Sequence, residues 1–187
     1  MNSMSKGNWQ EEKECGCKKE KEECRKKEKK EEGTKVLLKC GTPSSRALPI
    51  IAVGALGTPG ASFTVTTLAL DTSDFHDPCI KFEFAANVVN TLGIVLDLSF
   101  QIFRQCKNQF TPTPVGPAYT VAIPVVGVAY TLPVSFFACD CDLCPDDCCT
   151  YTVVATTGVA ITVGGFINNA ALSALVVENG NKSKCNC

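Results

Sequence analysis

The chain has 187 residues, 45% of them hydrophobic, and a formal net charge of -1. That length suits one ordinary domain with an appendage, and no excess of positive charge is available for nucleic-acid binding. The charge is uneven: twelve Lys/Arg and nine Asp/Glu lie from Met1 to Lys39, against six and ten from Cys40 to Cys187, so only the second part is apolar enough to bury a core.

The opening run Met1-Asn2-Ser3-Met4-Ser5-Lys6 has no apolar stretch, so no secretory signal peptide is expected. Glu11 to Glu32 is nearly all Glu, Lys and Arg, punctuated by Cys15, Gly16, Cys17 and Cys24. Opposite charges three and four residues apart support a helix by about 0.2–0.5 kcal/mol per pair. No apolar stripe is present, so such a helix would pack on nothing of its own. A semi-rigid helical arm and a solvated coil both fit residues 1–34. Interleaved Glu cancels the field of Arg25-Lys26-Lys27, so nucleic acid is not an expected partner.

Beyond Gly33 the pattern changes to strands. Ile94, Leu96, Leu98, Phe100 and Ile102 share one face, with Asp97, Ser99 and Gln101 on the other, the two-residue period of a half-buried strand. Ile80 to Phe84 alternates likewise, and Thr150 to Val154 and Val159 to Val163 do so less strictly. Further strands are expected at Val36–Cys40, Leu48–Val53, Ser62–Leu70, Tyr119–Val126, Val128–Phe137 and Ala171–Val177. Breaks are expected at Gly41-Thr42-Pro43, Gly57 to Gly60, Asp77-Pro78, Thr111 to Pro114 and Gly164-Gly165.

Strands with Gly/Pro turns and no amphipathic helix predict an all-β, jelly-roll-like antiparallel sandwich of about eight strands. It would span 35–178, after the charged arm and before a tail at 179–187. Two stretches lack charge, Asn108–Cys139 and Thr150–Val177. Each is long enough for a membrane helix. Five prolines in the first, and Thr, Gly and Asn in the second, argue against a membrane span.

Thirteen cysteines signal either a disulfide framework or metal binding, and an odd count leaves at least one unpaired within the chain. Five fall in the run Cys139-Asp140-Cys141-Asp142-Leu143-Cys144-Pro145-Asp146-Asp147-Cys148-Cys149. Cys141-x-x-Cys144 has zinc-knuckle spacing, but no second knuckle completes it. Cys40, Cys79 and Cys106 end strands, where a bridge can pin a sheet. Intradomain disulfides among Cys40, Cys79, Cys106, Cys139, Cys141, Cys144, Cys148 and Cys149 are therefore expected, with pairings left open. The alternative is zinc on Cys139, Cys141, Cys144 and Cys148 or Cys149.

Cys15 and Cys17 in the arm, with Cys24, and Cys185 and Cys187 in the tail, lie in exposed polar segments. They are candidates for crosslinks between subunits. No cofactor is expected. With His76 as the only histidine, no Ser-His-Asp set can be assembled, and no enzyme is expected. Gly164-Gly165 does not open a helix, so it is no phosphate loop. Asp140, Asp142, Asp146 and Asp147 lack EF-hand spacing and read as a solvated acidic turn.

Lys35 to Gly41, Phe100 to Cys106 and Phe137 to Cys144 with Cys148-Cys149-Thr150-Tyr151 resemble a cysteine-rich domain family of clostridial spore formers, over roughly Lys35 to Val177. The plan is also similar to endospore appendage (pilus) subunits of Bacillus-type bacteria, although the arm here is longer and more charged. That resemblance implies a jelly roll whose subunits join head to tail by sheet augmentation. It implies disulfides from connector cysteines, here Cys15 and Cys17, to neighbouring subunits. It further implies a structural subunit of a disulfide-crosslinked fibre or layer. Such a protein would be made without a signal peptide, released by mother-cell lysis and placed on the spore surface. Its partners would be itself and other spore-surface proteins, with no membrane.

Overall fold

The computed structural model describes residues 35–48, 61–90, 96–107, 109–123, 129–141, 148–157 and 165–178. All its regular structure is β: β1 Val36–Cys40, β2 Ser44–Ala47, β3 Ser62–Asp71, β4 Pro78–Asn90, β5 Leu96–Cys106, β6 Thr113–Ile123, β7 Tyr130–Asp140, β8 Cys148–Thr157 and β9 Phe166–Glu178. No helix long and apolar enough to cross a membrane occurs among these residues.

The strands form two antiparallel sheets. One has the order β1-β9-β4-β7, with β2 also on β9; the other has the order β3-β8-β5-β6. β1 and β2 pair successive parts of β9, Val36 to Cys40 against Val177 to Ser173 and Ser44 to Ala47 against Ala170 to Phe166. They are one edge strand broken at Gly41-Thr42-Pro43, so eight strand lines make a two-layer jelly roll. Gly41 is required at the break: a Cβ there would lie 2.9 Å from the Leu172 carbonyl oxygen.

Period-two patterning explains which face each strand buries. β4 turns Ile80, Phe82, Phe84, Ala86 and Val88 inward, and β5 turns Leu98, Phe100 and Ile102 inward. Across the layers Phe82 meets Tyr151 with ring centroids 4.3 Å apart, and Phe84 meets Phe100 at 5.5 Å. Each such buried aromatic contributes about 1.5–3 kcal/mol through removal from water.

Three bulges shape the sheets. In β9 the shift falls at Asn169, with φ 54°, a left-handed conformation that Asn tolerates. It lets Ile167 and Ala170 both face inward. In β6 the shift falls beside Gly116, with φ 68°, and the Gln101 amide donates to the Val115 and Gly116 carbonyls at 3.2 and 2.9 Å. In β3 it falls between Thr64 and Thr66, where Ser44 Oγ donates to the Val65 carbonyl at 2.6 Å and ties the two sheets.

Several expected boundaries move. β6 runs through Pro114 and Pro117, where a break or loop was expected, because an edge strand does not need every N–H. β4 begins at Pro78 after Asp77, whose φ is 56°, and runs six residues past Phe84. β2 was not expected at all. Leu48 is buried outside any strand, and the rest of the expected strand to Val53, with that at Val159–Val163, lies outside the described residues.

Candidate functional site

The residues with distinctive chemistry gather at one end of the sandwich. Arg104 near the end of β5 stands opposite Tyr151 on β8. From the other sheet, Asp140 at the end of β7 reaches both. Arg104 Nη1 donates to both Asp140 carboxylate oxygens at 2.9 Å, and the Tyr151 hydroxyl donates to Oδ2 at 3.3 Å. The side chains are only 17% and 7% exposed. Sequence patterning places Asp140 in a solvated acidic turn. The structure corrects this, because parity along β7 turns Asp140 inward with Val134 and Ala138.

Two disulfides flank this clasp. Cys106 and Cys149 are directly opposed on β5 and β8, both buried, and are bonded to each other. Cys79, the second residue of β4, is bonded to Cys141, the residue after β7. Ile80 opposes Asp140 and Lys81 opposes Cys139, so this bridge continues the same ladder by one rung. Each bridge thus staples neighbouring strands within a sheet, and Arg104–Asp140 joins the sheets between them.

The remaining predicted cysteines behave differently. Cys40, Cys139 and Cys148 were expected in bridges; they are exposed free thiols. Their side chains point away from the core, opposite Ser173, Lys81 and Asp71, so no sulfur faces them across the ladder. Cys144, and the tail candidates Cys15, Cys17, Cys24, Cys185 and Cys187, lie outside the described residues. The zinc alternative needs Cys141 as a thiolate, and Cys141 is held by Cys79. No group of three metal-ligating side chains occurs among the described residues.

Electrostatics elsewhere are local. Lys81 donates to Glu83 at 2.7 Å, and this carboxylate raises the ammonium's pKa above its ordinary value. Hydrogen bonds from Ser73 hold the Asp71 carboxyl below its ordinary value.

Where the chain enters and leaves the sandwich matters for the cysteine-bearing ends. Lys35 precedes β1 and Glu178 ends β9, and the Glu178 amide donates to the Lys35 carbonyl at 3.3 Å. Val177 opposes both Val36 and Cys79. Lys35 and Glu178, the first and last described residues, therefore lie side by side, next to the Cys79–Cys141 bridge.

No curated protein matches the chain in sequence. Among solved structures, that of infectious bursal disease virus Gx strain is 12% identical, with a TM-score of 0.48, covering 81% of this chain and 33% of that one. The D431N mutant VP2 protein of infectious bursal disease virus, in derived T=1 particles, is 12% identical with a TM-score of 0.42, covering 77% and 36%. The chain thus spans about a third of the viral chains' length. The model of the domain of unknown function DUF4489 matches residues 34–177, the whole stapled sandwich with its clasp, and the chain belongs to that family.

Proposed function

We propose that this protein is a structural subunit that polymerises head to tail and is fastened by disulfides between copies. The fibre or layer it forms belongs on the bacterial endospore surface. One observation carries the reading: Lys35 and Glu178, beyond which the two cysteine-bearing segments lie in sequence, are hydrogen-bonded neighbours on a cross-braced sandwich. A rigid body with reactive segments at one end can attach to the body of the next copy, and such a contact does not close on itself, so it propagates. Cys15, Cys17, Cys24, Cys185 and Cys187 supply one sulfur of each crosslink, and an exposed thiol on the next copy's body, such as Cys148, supplies the other. Oxidation of two thiols to a disulfide by molecular oxygen after mother-cell lysis releases two protons and two electrons to that oxidant. The polar sequence around these cysteines favours this chemistry. Neither catalysis nor a cofactor enters the reading.

Electrophoresis of protein extracted from spores, with and without reductant, tests it. A ladder without reductant that collapses to monomer with reductant is the expected result. A lone monomer band without reductant overturns it. The chain with serine at 15, 17, 24, 185 and 187 should lose the ladder while its sandwich melts unchanged.

A further inference from the structure

The two outer faces of the sandwich differ in chemistry. On the β3-β8-β5-β6 sheet the outward residues of β3 and β8 include Thr64, Thr67, Thr150, Thr152 and Thr156. On the other sheet, Val36, Leu38, Phe137, Phe166 and Leu175 face outward and are exposed, Leu38 by 67% and Phe137 by 69%. Its ladder rows read Leu38-Leu175-Lys81-Cys139 and Cys40-Ser173-Glu83-Phe137. Lys81 and Glu83 neutralise each other, so a second copy of this face meets no net charge on β4. Exposed apolar side chains thus stand on both sides of this neutral pair, Leu38 and Leu175 on one and Phe137 on the other, and such a grouping marks an interaction surface.

We infer that the outer face of the β1-β9-β4-β7 sheet binds the same face of a second copy. Size supports this. Four strands about 4.8 Å apart and about eleven residues long, at about 3.3 Å per residue, present roughly 700 Å². A standard interface buries about 800 Å² per partner. Shape supports it too. Phe137 forms one side of a shallow depression of about 500 Å³ that is also lined by Cys40, Glu83, Ala85, Ser135 and Ala171. A two-fold axis parallel to the strands, between β9 and β4, exchanges the β7 and β1 edges. It carries Phe137 of each copy over the Cys40 side of the other's depression, and Cys139 over Leu38. Two segments next to the sandwich are the wrong chemistry for this face: residues 11–32 are almost wholly charged, and 179–187 carry no apolar side chain apart from cysteine.

The contact is non-covalent and separate from the crosslinks of the proposed function. The test therefore uses the full-length chain with serine at 15, 17, 24, 185 and 187, measured by sedimentation velocity over a wide concentration range. A dimer is expected. Phe137→Glu and Leu38→Glu should each weaken it by roughly tenfold or more, with unchanged circular dichroism and melting. Thr150→Glu on the opposite face should leave it intact. A monomer at every concentration overturns the inference, as does a dimer indifferent to both face variants. A dimer that survives in detergent without reductant and vanishes with it is a disulfide product of Cys40, Cys139, Cys144 or Cys148, and overturns it as well. Loss of the spore-protein ladder would leave this result untouched, so the two readings fail separately.

Discussion

Removing the Asp140 carboxylate should be the most damaging single polar change in the described fold. Asp140→Ala leaves Arg104, whose side chain is 17% exposed, without the carboxylate that takes two hydrogen bonds from it, and removes an acceptor of the Tyr151 hydroxyl. Breaking a buried ion pair by deleting one member costs about 3–5 kcal/mol. The site is not fully buried, so the lower figure applies, about 3 kcal/mol. For a chain of this size each kcal/mol moves the melting temperature by about 2–4 °C, hence a fall of about 6–12 °C. The assay is urea unfolding and calorimetry without reductant, so that both disulfides stay closed. Replacing both partners, Arg104→Met with Asp140→Leu, should recover most of the loss, because apolar groups of similar volume leave no charge stranded. A change under about 0.5 kcal/mol for Asp140→Ala, the range of an ordinary surface substitution, would refute the view that this pair ties the sheets.

Other outcomes follow from the same geometry. Cys106→Ala with Cys149→Ala opens a bridge of sequence separation 43; chain entropy sets the loss at about 4 kcal/mol, read by thermal melting without reductant. Because the 79–141 and 106–149 loops overlap, removing both bridges should cost less than twice that, a further check by the same melt. Graded dithiothreitol followed by alkylation and mass spectrometry should open Cys79–Cys141, whose Cys141 is exposed, before the buried Cys106–Cys149. In the same experiment without reductant, Cys40, Cys139 and Cys148 should label and the four bridged cysteines should not. Gly41→Ala should destabilise the edge strand, since the new methyl group meets the Leu172 carbonyl at 2.9 Å; a melting temperature equal to wild type would show that β1 and β2 adjust freely there.

Much of this architecture is written in local pattern. Alternation of large apolar and polar residues at Ile80–Phe84 and Leu98–Ile102 determines strands and their buried faces, because side chains on a strand point alternately to its two sides. Gly41-Thr42-Pro43 breaks a strand for reasons internal to those residues. The all-β class follows from such segments taken together. The β6 prolines mislead because edge position, which excuses a missing N–H, is a property of the sheet and not of the segment. The span from Ala85 to Asn90 alternates weakly, yet it is strand because β7 and β9 flank it on both sides.

Which cysteines bond was decided by register, and register is a tertiary quantity. Cys106 opposes Cys149 and Cys79 reaches Cys141 only because chains 43 and 62 residues apart in sequence were laid side by side. The Cys139–Cys149 run looks like one cluster in sequence. Alternation sends Cys139 outward and Asp140 inward, and the sheets send Cys141 and Cys149 to different partners. Composition by itself shows a charged, cysteine-bearing segment ahead of an apolar one rich in strand-forming residues. Only the packing of two layers settled that Asp140 would be buried against Arg104, since neither residue carries any local sign of a partner 36 positions away.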